Sequence, residues 1–165
     1  MAQTGLMMGQ TVADLGCGNG FYVLPAAQMI GPTGMVYAVD VQTQKLAATV
    51  SIANQFGYKN VKVIQANLGK PLLDIDPGSC DLVVMGNILH EIDKKQELIQ
   101  NIYRVLKTGG RVVAVEWKRT ATPFGPPLER RMDQEKLEIM LQAAGFRKDK
   151  DLQADGYHYA VLFEK

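Results

Sequence analysis

The stretch Val12-Ala13-Asp14-Leu15-Gly16-Cys17-Gly18-Asn19-Gly20 decides the reading of this chain. Its first residues are an apolar run of strand length, and glycine then falls at every second position. A segment of helical character, Phe21 to Ile30, follows at once, and Pro25 fits it if placed in or near the first turn. An acidic residue near the end of the strand is thus followed by a turn whose backbone can come close to a ligand. Glycine tolerates positive φ and has no Cβ to hold a ligand away, so such a turn is a ready small-molecule cradle. The dinucleotide fingerprint G-x-G-x-x-G fits poorly, because the third glycine comes one residue early at Gly20 and Phe21 stands where that fingerprint needs glycine. A nicotinamide-dependent oxidoreductase is therefore the weaker reading of the turn.

Working outward, the remaining elements alternate. Short β-rich runs occur at Thr11–Leu15, Met35–Val39, Val61–Gln65, Asp81–Met85 and Arg111–Trp117. Between them lie helical stripes: Leu46, Val50 and Ala53; Leu98, Ile102 and Val105; Leu137, Met140, Leu141 and Ala144, the last with Asp133 as N-cap and Gly145 as stop. Met and Leu at that spacing read as core. Alternation of this kind predicts an α/β fold, a mostly parallel sheet with helices on both faces. The end of the chain differs. Lys150–Ala154 and Tyr157–Phe163 flank Asp155-Gly156, which predicts a C-terminal antiparallel hairpin. Lys118–Pro127 carries Pro123, Pro126 and Pro127 and reads as a loop, either a linker or a wall of the substrate pocket.

Composition bounds the function. At 165 residues the chain is read as one domain over residues 1–165, and 47% hydrophobic against 21% charged residues is a globular balance. A net charge of +1 advertises neither nucleic acid nor an anionic membrane as partner. Arg130-Arg131 and Arg147-Lys148 read as solvated surface. Cys17 and Cys80 make no disulfide framework and have no metal-ligand spacing, so no metal and a reducing compartment are expected. With no apolar run near ~18 residues and no signal-peptide layout, a cytoplasmic location is expected.

In an open α/β sheet ligands sit outside the carboxyl ends of the strands. The residues that should cluster are Gly16 to Gly20 after the first strand, Asp40 at the end of the second, Ala66-Asn67-Leu68 after the third, and Gly86 to Glu91 after the fourth. Asp40 lies about 20 residues beyond the turn, where a ribose-binding acid belongs, and its carboxylate can accept from both ribose hydroxyls. His90, with Glu91 beside it, is the candidate general base, against a reading in which it packs or caps the next helix. Glu116 and Lys118, ending the fifth strand, could line the pocket, whereas His158 in the last hairpin reads as structural.

Val12–Gly20, Val36–Asp40, Asp81–Val84 and Leu106–Arg111 together resemble four successive motifs of class I S-adenosylmethionine-dependent methyltransferases, the first in the form Asp-x-Gly-x-Gly-x-Gly. Within that class the chain is similar to the branch holding the ubiquinone/menaquinone C-methyltransferases. The resemblance implies a Rossmann-like seven-stranded sheet in the order 3-2-1-4-5-7-6. It implies S-adenosylmethionine as cofactor, with Asp14, Gly16, Gly18 and Gly20 at its methionine end and Asp40 at its ribose. Asn67 and Leu68 would flank the adenine, Asn87 would lie near the methionine and the transfer path, and Cys17 and Val41 join the cofactor-binding set. The cofactor carries a sulfonium and an ammonium, which suits Asp14.

Two positions depart from the family pattern: Asn67 stands where many relatives have aspartate, and Thr108 replaces the usual proline before Gly109-Gly110. The first strand also begins about ten residues in, whereas relatives usually carry a capping helix before it. A truncated chain, an unusually open site, or a lid borrowed from a partner or from a second copy in a homo-oligomer is the corresponding expectation. No Asn/Asp-Pro-Pro-aromatic motif follows the fourth strand, which disfavours amino-group methylation of that type. Arsenic methylation needs more thiols than Cys17 and Cys80. The expected function is methyl transfer to a small organic acceptor, the alternative a non-catalytic or partner-dependent cofactor-binding module of the same fold.

Overall fold

The computed structural model describes residues 1–165. Its strands are β1 Thr11–Leu15, β2 Met35–Asp40, β3 Val61–Gln65, β4 Cys80–Gly86, β5 Leu106–Trp117, β6 Arg147–Leu152 and β7 His158–Glu164. Its helices are α1 Val23–Ile30, α2 Thr43–Gln55, α3 Lys95–Val105 and α4 Gln134–Ala143. The strands form one seven-stranded sheet in the order β3-β2-β1-β4-β5-β7-β6, the order the resemblance implied. All neighbouring pairs from β3 to β5 are parallel, and β7 runs antiparallel to both β5 and β6.

Alternation along the strands sorts side chains onto the two faces. Ala13, Leu15, Val83, Met85, Val112 and Ala114 pack under Leu98, Ile102 and Val105 of α3 and Leu137 and Leu141 of α4. Val12, Val36, Ala38, Leu82 and Val84 pack under Val23, Ala26, Ala27 and Ile30 of α1 and Leu46 of α2. Central strands buried on both faces need continuous apolar runs rather than alternation, which is why β1 and β4 stand out in the sequence. Residues before β1 also join the α1 face: a 3-10 turn, Ala2–Thr4, leads to Leu6, which packs in the same cluster as Val113 and Leu162.

Several local expectations are corrected. β5 begins at Leu106, and the Lys107–Gly110 turn is an excursion within it: Leu106 pairs with Cys80 while Arg111 pairs with Leu82. Asp155-Gly156 is not a two-residue hairpin turn, since β6 ends at Leu152 and β7 starts at His158. The Asp155 carboxylate instead accepts from its own downstream N–H groups, those of Tyr157 at 2.8 Å and His158 at 2.9 Å. Asp133 occupies the N-cap of α4 but makes no capping hydrogen bond, because its carboxylate pairs with Arg119 at 3.2 Å. Arg131 is buried rather than solvated. Its guanidinium donates to the carbonyls of Lys118, Thr120, Phe124 and Pro126 and to Thr122 Oγ1, and so gathers the proline-rich loop around itself.

Candidate active site

The carboxyl ends of β1, β2, β4 and β5 and the start of antiparallel β7 share one rim of the sheet. At β1 the chain turns sharply because Gly16 N and Cys17 N both donate to Val39 O, at 2.8 and 2.9 Å. Gly16 has φ +77° and Gly18 φ +52°, the left-handed region that favours glycine. The two positions serve different ends. A Cβ on Gly16 would overlap Ile88 Cγ2, whereas one on Gly18 would meet nothing and project into open space. Gly20 is a packing glycine: its Cβ would press on Thr49 of α2 at 3.1 Å.

Asp40, at the end of β2, is tied to this turn. Its Oδ2 accepts from Gly18 N at 2.9 Å and its Oδ1 from Gln42 N at 2.8 Å, while Thr49 Oγ1 donates to Gly18 O at 3.0 Å. An ionised carboxylate has about four lone-pair sites, so both oxygens keep acceptor capacity.

Two clefts meet at the turn, and Gly16, Gly18, Gly86 and Asn87 line both. The smaller, about 440 Å³, is also lined by Asp40, Val41, Asn67 and Leu68. The larger, about 640 Å³, has Cys17, Phe21, Tyr22, Val113, Val115 and His158 in its wall, and Gln3 and Thr4 of the N-terminal turn close one side. Asn67 Oδ1 accepts from Gly69 N at 2.9 Å, so one of its two lone pairs is already used.

Asn87 is the one non-glycine residue with positive φ, +56°. Its N–H donates to Val115 O at 2.8 Å, and its Oδ1 is buried with no partner. Buried polar atoms ordinarily find partners, so an orphan on a residue that lines both clefts marks a place for a ligand donor. Asp14 is more extreme. It is 1% exposed and neither carboxylate oxygen has a partner. Burial, then the charge of Asp40, pushes its carboxyl up to about 7. Asp14 lines neither cleft and lies enclosed beside the turn. A nearby cation would relieve this arrangement, so the enclosed acid and the open Gly18 fit a small cationic ligand.

His90 is not brought to either cleft. Its Nδ1 lies 3.9 Å from Glu116 Oε2 and its Nε2 3.7 Å from Glu91 Oε1. Glu116 is 1% exposed and does not line the clefts; its Oε1 accepts from Ile88 N and Leu89 N, both at 2.8 Å. It therefore fixes the backbone that follows Asn87. Lys118 turns to the hairpin, donating to Gly156 O at 3.3 Å.

The larger cleft also contains residues that sequence reasoning did not single out. Tyr22 lies flat on Gly86, where any Cβ would overlap its ring. Burial first, then Asp14, Glu116 and Asp155, pushes its phenol up to about 12. Burial, then Asp14 and Asp40, does the same to the Cys17 thiol, also to about 12, which leaves it protonated and inert. His158, set aside as structural, borders this cleft with Asp155. The spacing of Asp155 and His158, three residues apart at a hairpin, is the signal that could have marked them.

Residues 7–154 match the methyltransferase domain family, and the chain belongs to it. Among its relatives is the demethylmenaquinone methyltransferase of Lactococcus lactis, 30% identical over 124 residues, 75% of this chain and 48% of that one. The ubiquinone/menaquinone biosynthesis C-methyltransferase of Escherichia fergusonii is 28% identical over 157 residues, 94% of this chain and 59% of that one. The chain thus spans about half the length of these curated relatives. Among solved structures, a SAM dependent methyltransferase from Aquifex aeolicus superposes with a TM-score of 0.90 at 28% identity, over 99% of this chain and 86% of that one.

Proposed function

We propose that this chain transfers a methyl group from S-adenosylmethionine to a small organic acceptor. The observation that carries this reading is the Gly18–Asp40 hydrogen bond at the junction of the two clefts. A carboxylate with spare acceptor capacity beside so open a turn supports a ribose held at Asp40 and a methionine chain along the turn, with the second cleft for an acceptor. Asp40 would receive the ribose hydroxyls, with Val41 beside it, and Asn67 and Leu68 would flank the adenine. Gly16, Cys17, Gly18 and Gly20 shape the turn at the methionine end, Asp14 answers its positive charge and Asn87 Oδ1 offers an unused acceptor.

When bound, the cofactor supplies a methyl carbon on a sulfonium that already carries its leaving group. What remains for the protein is to align the acceptor and keep water out. Val113, Val115, Tyr22 and Phe21 give the larger cleft an apolar wall suited to a small organic molecule. His90 would act on this acceptor only after leaving its place between Glu91 and Glu116. Free, buried Cys17 and Cys80 suit a reducing, cytoplasmic setting, and no helix is long and apolar enough to cross a membrane.

The test is Asp40→Asn. Losing the charge on hydrogen bonds to the ribose, together with one acceptor for the N–H groups of Gly18 and Gln42, should weaken S-adenosylmethionine binding about 10- to 100-fold, and the melting temperature of the unliganded variant measures the turn's share. Thermal-shift titration reads this directly, and unchanged affinity would remove Asp40 from the site.

A further inference from the structure

His158 opens β7 opposite Trp117, the last residue of β5. Its Nδ1 lies 2.8 Å from Asp155 Oδ1 and 2.9 Å from Oδ2. Asp155 cannot swing away, because the same carboxylate accepts the N–H groups of Tyr157 and His158. Those hydrogen bonds, that of the His158 ring first, hold its carboxyl below the usual carboxylate range. An ionised carboxylate only accepts, so the proton between them sits on Nδ1 and the lone pair of the neutral ring sits on Nε2. Nε2 has no partner and is covered by its neighbours, so an acceptor in the adjoining cleft reaches it as the cleft wall yields. Buried ring nitrogens ordinarily find a partner, and unlike His90 this ring borders a cleft.

Of the titratable side chains lining the larger cleft, Cys17 and Tyr22 are held protonated by burial, and Asp155 is committed to its hairpin. His158 remains. We propose that His158, oriented by Asp155, is the general base of the proposed methyl transfer. The acceptor then belongs to the class that must lose a proton on methylation, as a hydroxyl does. Thioethers and tertiary amines, which attack without a base, fall outside that class.

In the step, the acceptor O–H bond breaks as its proton bonds to His158 Nε2. The acceptor oxygen takes the methyl carbon, and the electron pair of the broken carbon–sulfur bond stays on sulfur as a neutral thioether. The imidazolium then returns its proton to water. Asp155 stabilises that cation, as does the Trp117 ring, whose centroid lies 4.2 Å from that of His158.

This inference rests on the methyltransferase reading, and one experiment separates the two. The full chain is saturated with S-adenosylhomocysteine and titrated with 4-nitrophenol, buffered about one pH unit below the ionisation of the free phenol. Bound phenol should convert to its yellow phenolate in the wild type, with about tenfold less phenolate at equal occupancy in His158→Gln. Asp155→Asn should behave likewise, and nitrogen-15 spectra should show its His158 ring losing the fixed Nδ1–H form of the wild type. Both variants should keep S-adenosylhomocysteine affinity within about twofold, which certifies the fold. Absence of the phenolate signal in the wild type, or an equal signal in His158→Gln, overturns the dyad alone. Failure of the wild type to bind S-adenosylhomocysteine overturns the underlying reading instead.

Discussion

Asp14 sets the behaviour of the site at the scale of single residues. Its carboxyl moves from an ordinary value of 3.8 to about 7 because burial, and then Asp40, disfavour its charge. The folded chain therefore binds a proton more tightly than the unfolded chain. The associated stability is complete below about pH 4 and is lost as pH rises to about 7, a change on the order of 4 kcal/mol. Asp14→Asn should flatten that segment of the stability curve, measured by urea unfolding at pH 5 and pH 8. An unaltered slope would assign the titration to another group. On the proposed reading a bound cation favours the ionised acid, so binding at pH 7 should release about half a proton, measurable by calorimetry in buffers of different ionisation enthalpy. Asp14, Gly16 and Gly18 were legible in the sequence because strand and turn are contiguous there. Asn87 was legible only as a position, since neither its left-handed φ nor its orphaned Oδ1 leaves a mark in the local pattern.

At the scale of elements, two buried charged side chains hold irregular backbone that no helix or strand supports. Glu116 on β5 receives the N–H groups of Ile88 and Leu89, and so sets the segment that carries Asn87. Glu116→Ala leaves two buried donors unmet and should cost about 2–4 kcal/mol, with weakened S-adenosylmethionine binding; Glu116→Gln should recover part of both. Equal melting temperatures for Ala and wild type would refute this role. Arg131 does the same for the loop 118–127 through carbonyls and Thr122 Oγ1. Arg131→Ala should expose that loop to limited proteolysis while the sheet stays protected, and cleavage no faster than wild type would show that the loop holds itself. Neither role could be read beforehand. The partners of Glu116 lie 27 and 28 residues away, and those of Arg131 are, Thr122 Oγ1 apart, backbone carbonyls with no residue signature. The hairpin shows a related limit: Asp155-Gly156 carries a two-residue turn signal, but the Asp155 side chain binds its own N–H groups and the loop widens to residues 153–157.

The whole molecule sorts what the sequence could and could not disclose. Parallel central strands are uninterrupted apolar runs, so β1 and β4 and the alternation around them were plain, whereas the strand order came from the resemblance. Site residues at the carboxyl ends of parallel strands followed from the rule for open sheets, which placed Asp40, Asn67 and Asn87 at one rim. That rule looks past β7, because an antiparallel strand brings its beginning to this rim, and His158 comes with it. It also drew His90 inward merely because it follows β4, while the chain turns that ring toward Glu116. On the proposed reading the two rim clefts together form a site for S-adenosylmethionine and an acceptor. Calorimetric titration of the full chain with S-adenosylmethionine tests it most directly. One site per chain with micromolar affinity, about −8 kcal/mol, and competition by S-adenosylhomocysteine are expected. Absence of heat and of competition at millimolar ligand would contradict it.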